Sequence, residues 1–243
     1  MVYYQIDWGD TMVRMLIFGE TGTGKTYNLL NLFGKVCKDG ESLYVDCDYR
    51  GTEMWLDSVD VCRDRLVYIS DWVEWKRLYS TITDRQWDII ILDSLSSLME
   101  MYHDYLQNYI RVKKQYPLPT GTGVVNLDDK GIDPEMIVLP MQMYSLVYDT
   151  MLNVVTDLMK YSKNVVVVCH PIETRQLTFD GKVIHSAGRL SFKQSLQRKM
   201  DVVVAMRTFD VCDILKIRGK RMAGSVKLSE LLAELFNLDG SDK

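Results

Sequence analysis

Along the chain, short apolar runs alternate with stretches in which apolar residues recur every three or four positions. The runs Val13–Phe18, Ser42–Asp46, Leu66–Ile69, Asp88–Leu92, Asn164–Cys169, Asp201–Arg207 and Val211–Ile217 predict strands. Several are apolar throughout, which suits strands covered on both faces. Between the first two, Leu29, Leu32, Phe33, Val36 and Cys37 fall at i, i+3, i+4, i+7 and i+8 and predict a helix with one buried stripe. A longer helix is expected from about Met141 to Tyr161. Pro140 suits its first turn, and Tyr144, Val147, Met151, Val154, Val155 and Leu158 form its buried side. Further helices are expected from near Leu95 and over about 227–238. This alternation is that of an α/β fold with a mostly parallel central sheet flanked by helices.

One stretch breaks the rhythm. Residues 111–140, "RVKKQYPLPTGTGVVNLDDKGIDPEMIVLP", hold four of the five prolines and three glycines. A loop of this length is usually functional or mobile, so residues 1–243 read as a single domain with one insertion. With 47% apolar and 26% charged residues, the composition is that of an ordinary globular protein. No apolar run approaches the ~20 residues that span a bilayer, so no membrane partner is expected. "MVYYQIDWGDTM" at the start has neither a basic segment nor an apolar core, and predicts no secretory signal. Five scattered cysteines without a CxxC suit a reducing cytoplasm (the host's, if the chain is viral) and argue against a zinc site. A net charge of −4 gives no global reason to expect nucleic acid, so any such partner must be argued from local patches.

The strongest chemical signal is "FGETGTGKT", Phe18 to Thr26, between a predicted strand and a predicted helix. It matches G-x-x-x-x-G-K-[ST], with Gly19, Glu20, Thr21, Gly22, Thr23, Gly24, Lys25, Thr26 and the following Tyr27 forming a phosphate cradle. The glycines let backbone N–H groups turn toward phosphate oxygens at a helix N-terminus. Lys25 would reach the β and γ phosphates of ATP, and Thr26 would ligand Mg²⁺. Asp93 ends the apolar run Ile89–Leu92, where a carboxylate is costly unless it meets solvent or a cation. It is the second expected magnesium ligand. Ser94 follows it, where many nucleotide hydrolases carry a glutamate base; it suits a helix cap or the metal's water shell. The base must then come from elsewhere, and a strand adjacent to the P-loop strand is expected to supply it. "SLYVDCDYRG" offers Asp48, with Asp46 as the alternative.

These motifs resemble the RecA-type P-loop ATPases, in particular the short core-only forms of phages and mobile elements, some of which act in single-strand annealing and recombination. In that family the second core strand ends in an aspartate followed by a catalytic acid and a glycine. "VDCDYRG", Val45 to Gly51, resembles it with aspartate at Asp48 in place of the usual glutamate. The "hhhhDS" form of the magnesium strand also fits Ile89–Ser94. The resemblance implies that His170, at the end of "NVVVVCHP", senses the γ-phosphate. It implies that the next region binds single-stranded DNA. There Arg175, Lys182, Arg189, Lys193, Arg198 and Lys199 face only Glu173 and Asp180, with Phe179 or Phe192 available for stacking. "TFDGKVIH" in that region carries an Asp-Gly hairpin signature. Arg111, Lys113, Lys114 and Tyr116 form a second candidate patch.

In "LKIRGKRMAGSVK", Lys216, Arg218, Lys220, Arg221 and Lys227 occur with no acid between Ile214 and Leu228. The resemblance implies that such residues enter a neighbour's nucleotide site in a homo-oligomeric ring or filament. Lys216 and Arg218 alternate with Ile217 and are expected to share a face, with Arg221 next in line. The plainer alternative is an edge strand whose basic face guards against aggregation. The leading expectation is a Mg²⁺-dependent ATPase of the RecA core type acting on DNA. A ring-type translocase, packaging or helicase-like motor stays open, as does a KaiC-type nucleotide switch that never touches DNA.

Overall fold

The computed structural model describes residues 12–38, 40–48, 50–117, 124–127, 141–170, 175–177, 183–185, 187–218, 220–221 and 224–238. Its elements in chain order are β1 (Arg14–Phe18), α1 (Lys25–Val36), β2 (Ser42–Asp46), β3 (Leu66–Tyr68), α2 (Trp72–Thr83), β4 (Trp87–Asp93) and α3 (Leu95–Lys113). There follow β5 (Gln115–Pro117), β6 (Val124–Asn126), α4 (Met141–Tyr161), β7 (Ser162–Cys169), β8 (Arg175–Leu177), β9 (Val183–His185) and α5 (Ala187–Lys199). The chain closes with β10 (Val202–Thr208), β11 (Val211–Ile217), β12 (Lys220–Arg221), β13 (Ser225–Lys227) and α6 (Leu228–Leu235). All seven expected strands form, within two residues of their expected ends, and α4 has the expected bounds.

The main sheet runs β12-β11-β10-β1-β7-β4-β2-β3, with β13 also on β11. From β10 to β3 every pairing is parallel, and the strands beyond β10 turn antiparallel. Side chains alternate across the sheet, so Leu16 and Phe18 of β1 enter one core while Met15 and Ile17 enter the other. The first core is closed by α2, α3, α4 and α5, the second by α1 and α6. The apolar-throughout strands follow from this two-sided cover: Val165 to Val168 of β7 are all 0% exposed.

Two helices carry no expectation from the sequence. α2 begins at Asp71, whose carboxylate accepts from Val73 N at 2.7 Å and Glu74 N at 2.8 Å, while Glu74 reaches back to Ser70 N at 2.8 Å. That reciprocal cap was readable in "SDWVEW". α5 lies in the basic stretch after His170; it has almost no amphipathic contrast, yet Phe192 and Leu196 anchor it in the core.

The pairing of β8 with β9 agrees with the expected hairpin, whose Asp-Gly turn lies outside the described residues. The stretch expected as an insertion begins inside α3, which runs to Lys113, and its described part continues as the two-stranded β5–β6 ribbon and the buried Leu127; Pro140 lies outside the described residues. Cys37 and Cys62 are joined as a disulfide with Cα atoms 6.0 Å apart, while Cys47, Cys169 and Cys212 are free and buried. Spacing alone gave no hint of that pair. It forms because the segment after Thr52 runs back along α1, where Asp60 packs against Gly34. Among the described residues, no helix is long and apolar enough to cross a membrane.

Candidate active site

Parallel strands deliver their carboxyl ends to one edge of the sheet, and the chemistry-bearing residues gather there. β1 ends at Phe18 opposite Cys169 of β7, and Gly19 N donates to Cys169 O at 3.2 Å. β4 ends at Asp93 opposite Asp46 of β2, and Cys47 N donates to Asp93 O at 2.6 Å. Gly19, His170, Asp93 and Asp48 therefore come from four neighbouring strand ends.

The loop between β1 and α1 is a phosphate cradle in shape. Gly22 and Gly24 have φ of 83° and 82°, a left-handed conformation that L side chains rarely adopt. At Gly24 a Cβ would also meet the Phe209 ring at 2.7 Å. Lys25 opens α1, is 5% exposed, and donates to the carbonyls of Gly19 and Glu20 at 2.7 Å each. Burial lowers its pKa, against the pull of Asp93, Asp48 and Glu20. A cation held by two carbonyls and, at 3.5 Å, the Thr23 hydroxyl has only neutral partners in direct contact, which suits an anionic ligand.

Thr26 donates its hydroxyl to Asp93 Oδ2 at 2.7 Å, and Tyr44 donates to the same oxygen at 2.8 Å. Asp93 is 2% exposed, and burial pushes its pKa up to about 6 although both hydroxyls oppose the shift. A buried carboxylate beside a threonine hydroxyl at the foot of a phosphate cradle is a suitable donor set for a hard cation. Among the described residues no group of three or more His, Cys, Asp or Glu clusters to hold a metal alone. The set fits an ion shared with phosphate oxygens. Tyr44 was missed in the sequence because a buried tyrosine in an apolar strand reads as core.

Asp46 and Asp48 separate clearly. Asp46 is 1% exposed and accepts from Thr52 N at 3.0 Å, Thr52 Oγ1 at 2.7 Å and Asp48 N at 2.8 Å. It ties the loop after β2, its two oxygens turned to donors of that loop. Asp48 turns its carboxylate into the site: Oδ1 accepts from Ser97 Oγ at 2.9 Å and lies 3.6 Å from His170 Nε2. The pairing with His170 lowers the Asp48 pKa and raises that of His170. The expectation that the base strand adjoins the P-loop strand is corrected: β7 and β4 stand between β1 and β2. Asp48 reaches the site because it lies two residues beyond the strand, on a loop that Asp46 bends inward.

Ser94 caps α3, accepting from Ser97 N at 3.1 Å. The backbone N of His170 donates to Ser96 Oγ at 3.0 Å. Tyr27 packs edge-on against Trp55 with centroids 5.0 Å apart and lies 5.5 Å from Phe209. Beside them a cavity of about 330 Å³ opens between α1 and α6, lined by Tyr27, Asn31, Phe209, Asp210 and Leu232 among others.

The remaining basic residues divide. Lys216 and Arg218 do not share a strand face: β11 ends at Ile217, and Arg218 sits in a turn with φ 43°. Lys216 points inward and donates to the carbonyls of Gln197 at 2.9 Å, Arg198 at 3.4 Å and Met200, closing the C-terminal end of α5. Arg218 is exposed. Lys193 lies with its ammonium 5.4 Å over the Phe18 ring, close to the P-loop. Arg175 is on β8 and Arg189 on α5, their side chains outside the described residues, as is Lys182 altogether. Phe192 is 3% exposed and stacks on Tyr148 at 5.1 Å, so it is core and not a platform for bases; Phe179 lies outside the described residues. Arg111, Lys113 and Lys114 are exposed at the end of α3.

No curated protein matches the chain. A family model described as an AAA domain matches residues 11–225. The chain belongs to that AAA domain family, and its mostly parallel sheet with the phosphate cradle at the carboxyl edge is a P-loop ATPase fold.

Proposed function

We propose that this protein is a magnesium-dependent ATP hydrolase of the RecA core type that acts on DNA as a homo-oligomer, in recombination, single-strand annealing or a related transaction. The observation that carries the hydrolytic part is the meeting of Lys25, Thr26 and Asp93 with the Asp48–His170 pair at one sheet edge. Residues Gly19 to Tyr27 hold the phosphates, and Lys25 exchanges its carbonyl partners for β and γ oxygens. The nucleoside enters the cavity beside Tyr27 and Phe209. Thr26 and Asp93 are the residues that would hold Mg²⁺, which when bound neutralises charge on the phosphates. Asp48 takes the proton of the attacking water, and His170 reads the γ-phosphate.

Arg218 is the better basic residue to complete a neighbour's site, since Lys216 is committed to α5. DNA binding is supported by the excess of positive charge over residues 171–200, of which α5 contributes Arg189, Lys193, Arg198 and Lys199. The test is ATP turnover with and without single-stranded DNA at two salt concentrations. The expected result is stimulation by DNA that fades as salt rises, because phosphate contacts release counterions. Equal turnover under all four conditions would remove DNA from the proposal and favour a nucleotide switch.

A further inference from the structure

Asp48 has two carboxylate oxygens in unequal surroundings. Oδ1 takes the Ser97 hydroxyl at 2.9 Å and faces His170 Nε2 at 3.6 Å, whereas Oδ2 carries no hydrogen bond among the described residues. Ser97 is itself fixed. It is 4% exposed, its N–H donates to Ser94 Oγ at 3.1 Å, and its hydroxyl oxygen lies 3.0 Å from the Ser94 hydroxyl. Because the single Ser97 hydroxyl proton is spent on Asp48, the Ser94 hydroxyl must be the donor of their shared bond. Donation therefore runs one way, Ser94 to Ser97 to Asp48, a direction in which each bond strengthens the next. The chain starts at the residue bonded to Asp93, so the first turn of α3 links the metal-side carboxylate of β4 to the carboxylate on the loop after β2.

We infer that Ser97 is a positioning residue, which holds Asp48 Oδ1 so that Oδ2 faces the attacking water. The inference rests on the proposed role of Asp48 as base. A loop carboxylate one methylene shorter than glutamate has less reach, and an aligned donor compensates by fixing where it points. Ser96, holding the backbone of His170 from the same turn, places the partner of the pair alongside.

The experiment measures kcat and KM for ATP, with Mg²⁺, in wild type, Ser97→Ala, Ser97→Thr, Asp48→Asn and the Ser97→Ala/Asp48→Asn double variant. Loss of a hydrogen bond to a charged base predicts a kcat about 10-fold or more lower in Ser97→Ala, with KM changed less than about 2-fold. Ser97→Thr, which keeps the hydroxyl, restores most of kcat. In the Asp48→Asn background Ser97→Ala has no further effect, as expected of two groups acting through one step. Full kcat in Ser97→Ala while Asp48→Asn is inactive overturns the positioning role alone. Full kcat in Asp48→Asn overturns the base assignment and the inference with it. If kcat falls equally in Ser97→Ala and Ser97→Thr, or if KM rises in step, the serine only supports the fold.

Discussion

His170 and Asp48 form an ionic contact in the site between two titrating groups, and its pH dependence can be worked out. The folded pKa of His170 lies above its ordinary 6.5, so its contribution to stability is complete below 6.5 and is lost as pH rises through the raised value. That of Asp48 lies below its ordinary 3.8, so its contribution is complete above 3.8 and is lost as pH falls through the lowered value. The pair therefore stabilises most between 3.8 and 6.5. His170→Gln should lower the melting temperature more at about pH 5.5 than at about pH 8.5. With side chains 29% and 31% exposed the effect is small, under about 1 kcal/mol. An equal drop at both pH values would mean that His170 is not paired as a cation. At this scale the sequence was legible where a motif fixes spacing, and Lys25, Thr26 and Asp93 do meet at one sheet edge. It was silent on Tyr44 and Ser97, whose hydroxyls donate to carboxylates 49 residues away along the chain.

Among the elements, α3 and the β10–β11 pair do the most to shape the site. α3 is capped by Ser94 directly after Asp93, so the next serines of its first turn, Ser97 and Ser96, are the contacts of Asp48 and His170. β11 returns antiparallel to β10 and brings Lys216 under the end of α5, where three carbonyls accept its protons. Lys216→Ala should lower the melting temperature by about 2–4 °C, the shift expected for a loss near 1 kcal/mol in a chain this long. Arg218→Ala should lose turnover. A Lys216→Ala protein as stable as wild type would remove the capping role, and undiminished turnover in Arg218→Ala would remove the trans role. The central strands were readable because burial on two faces leaves unbroken apolar runs, as at Ile89–Leu92 of β4 and Val165–Val168 of β7. α5 was not, because a helix with four basic residues and little apolar contrast is indistinguishable in sequence from a solvated loop. The face shared by Lys216 and Arg218 was misread for a related reason: strand alternation was carried one residue past the end of β11.

For the whole molecule, the order of the sheet decides what the site can be. Placing β7 and β4 between β1 and β2 separates the phosphate cradle from the loop that carries Asp48 by two strands, a gap in which His170 and Asp93 emerge. No local pattern encodes that order, so the sequence alone suggested a base strand next to the cradle. The proposed function requires Lys25 and Asp93 to meet at one triphosphate with a divalent ion between them. Titration calorimetry of ATP into wild type, Lys25→Ala and Asp93→Asn, with and without Mg²⁺, tests this most directly. Wild type should bind ATP with Mg²⁺ and much more weakly without it; Lys25→Ala should lose binding, and Asp93→Asn should lose the dependence on Mg²⁺. Heats that are the same in all three proteins, or unaffected by the metal, would contradict the account.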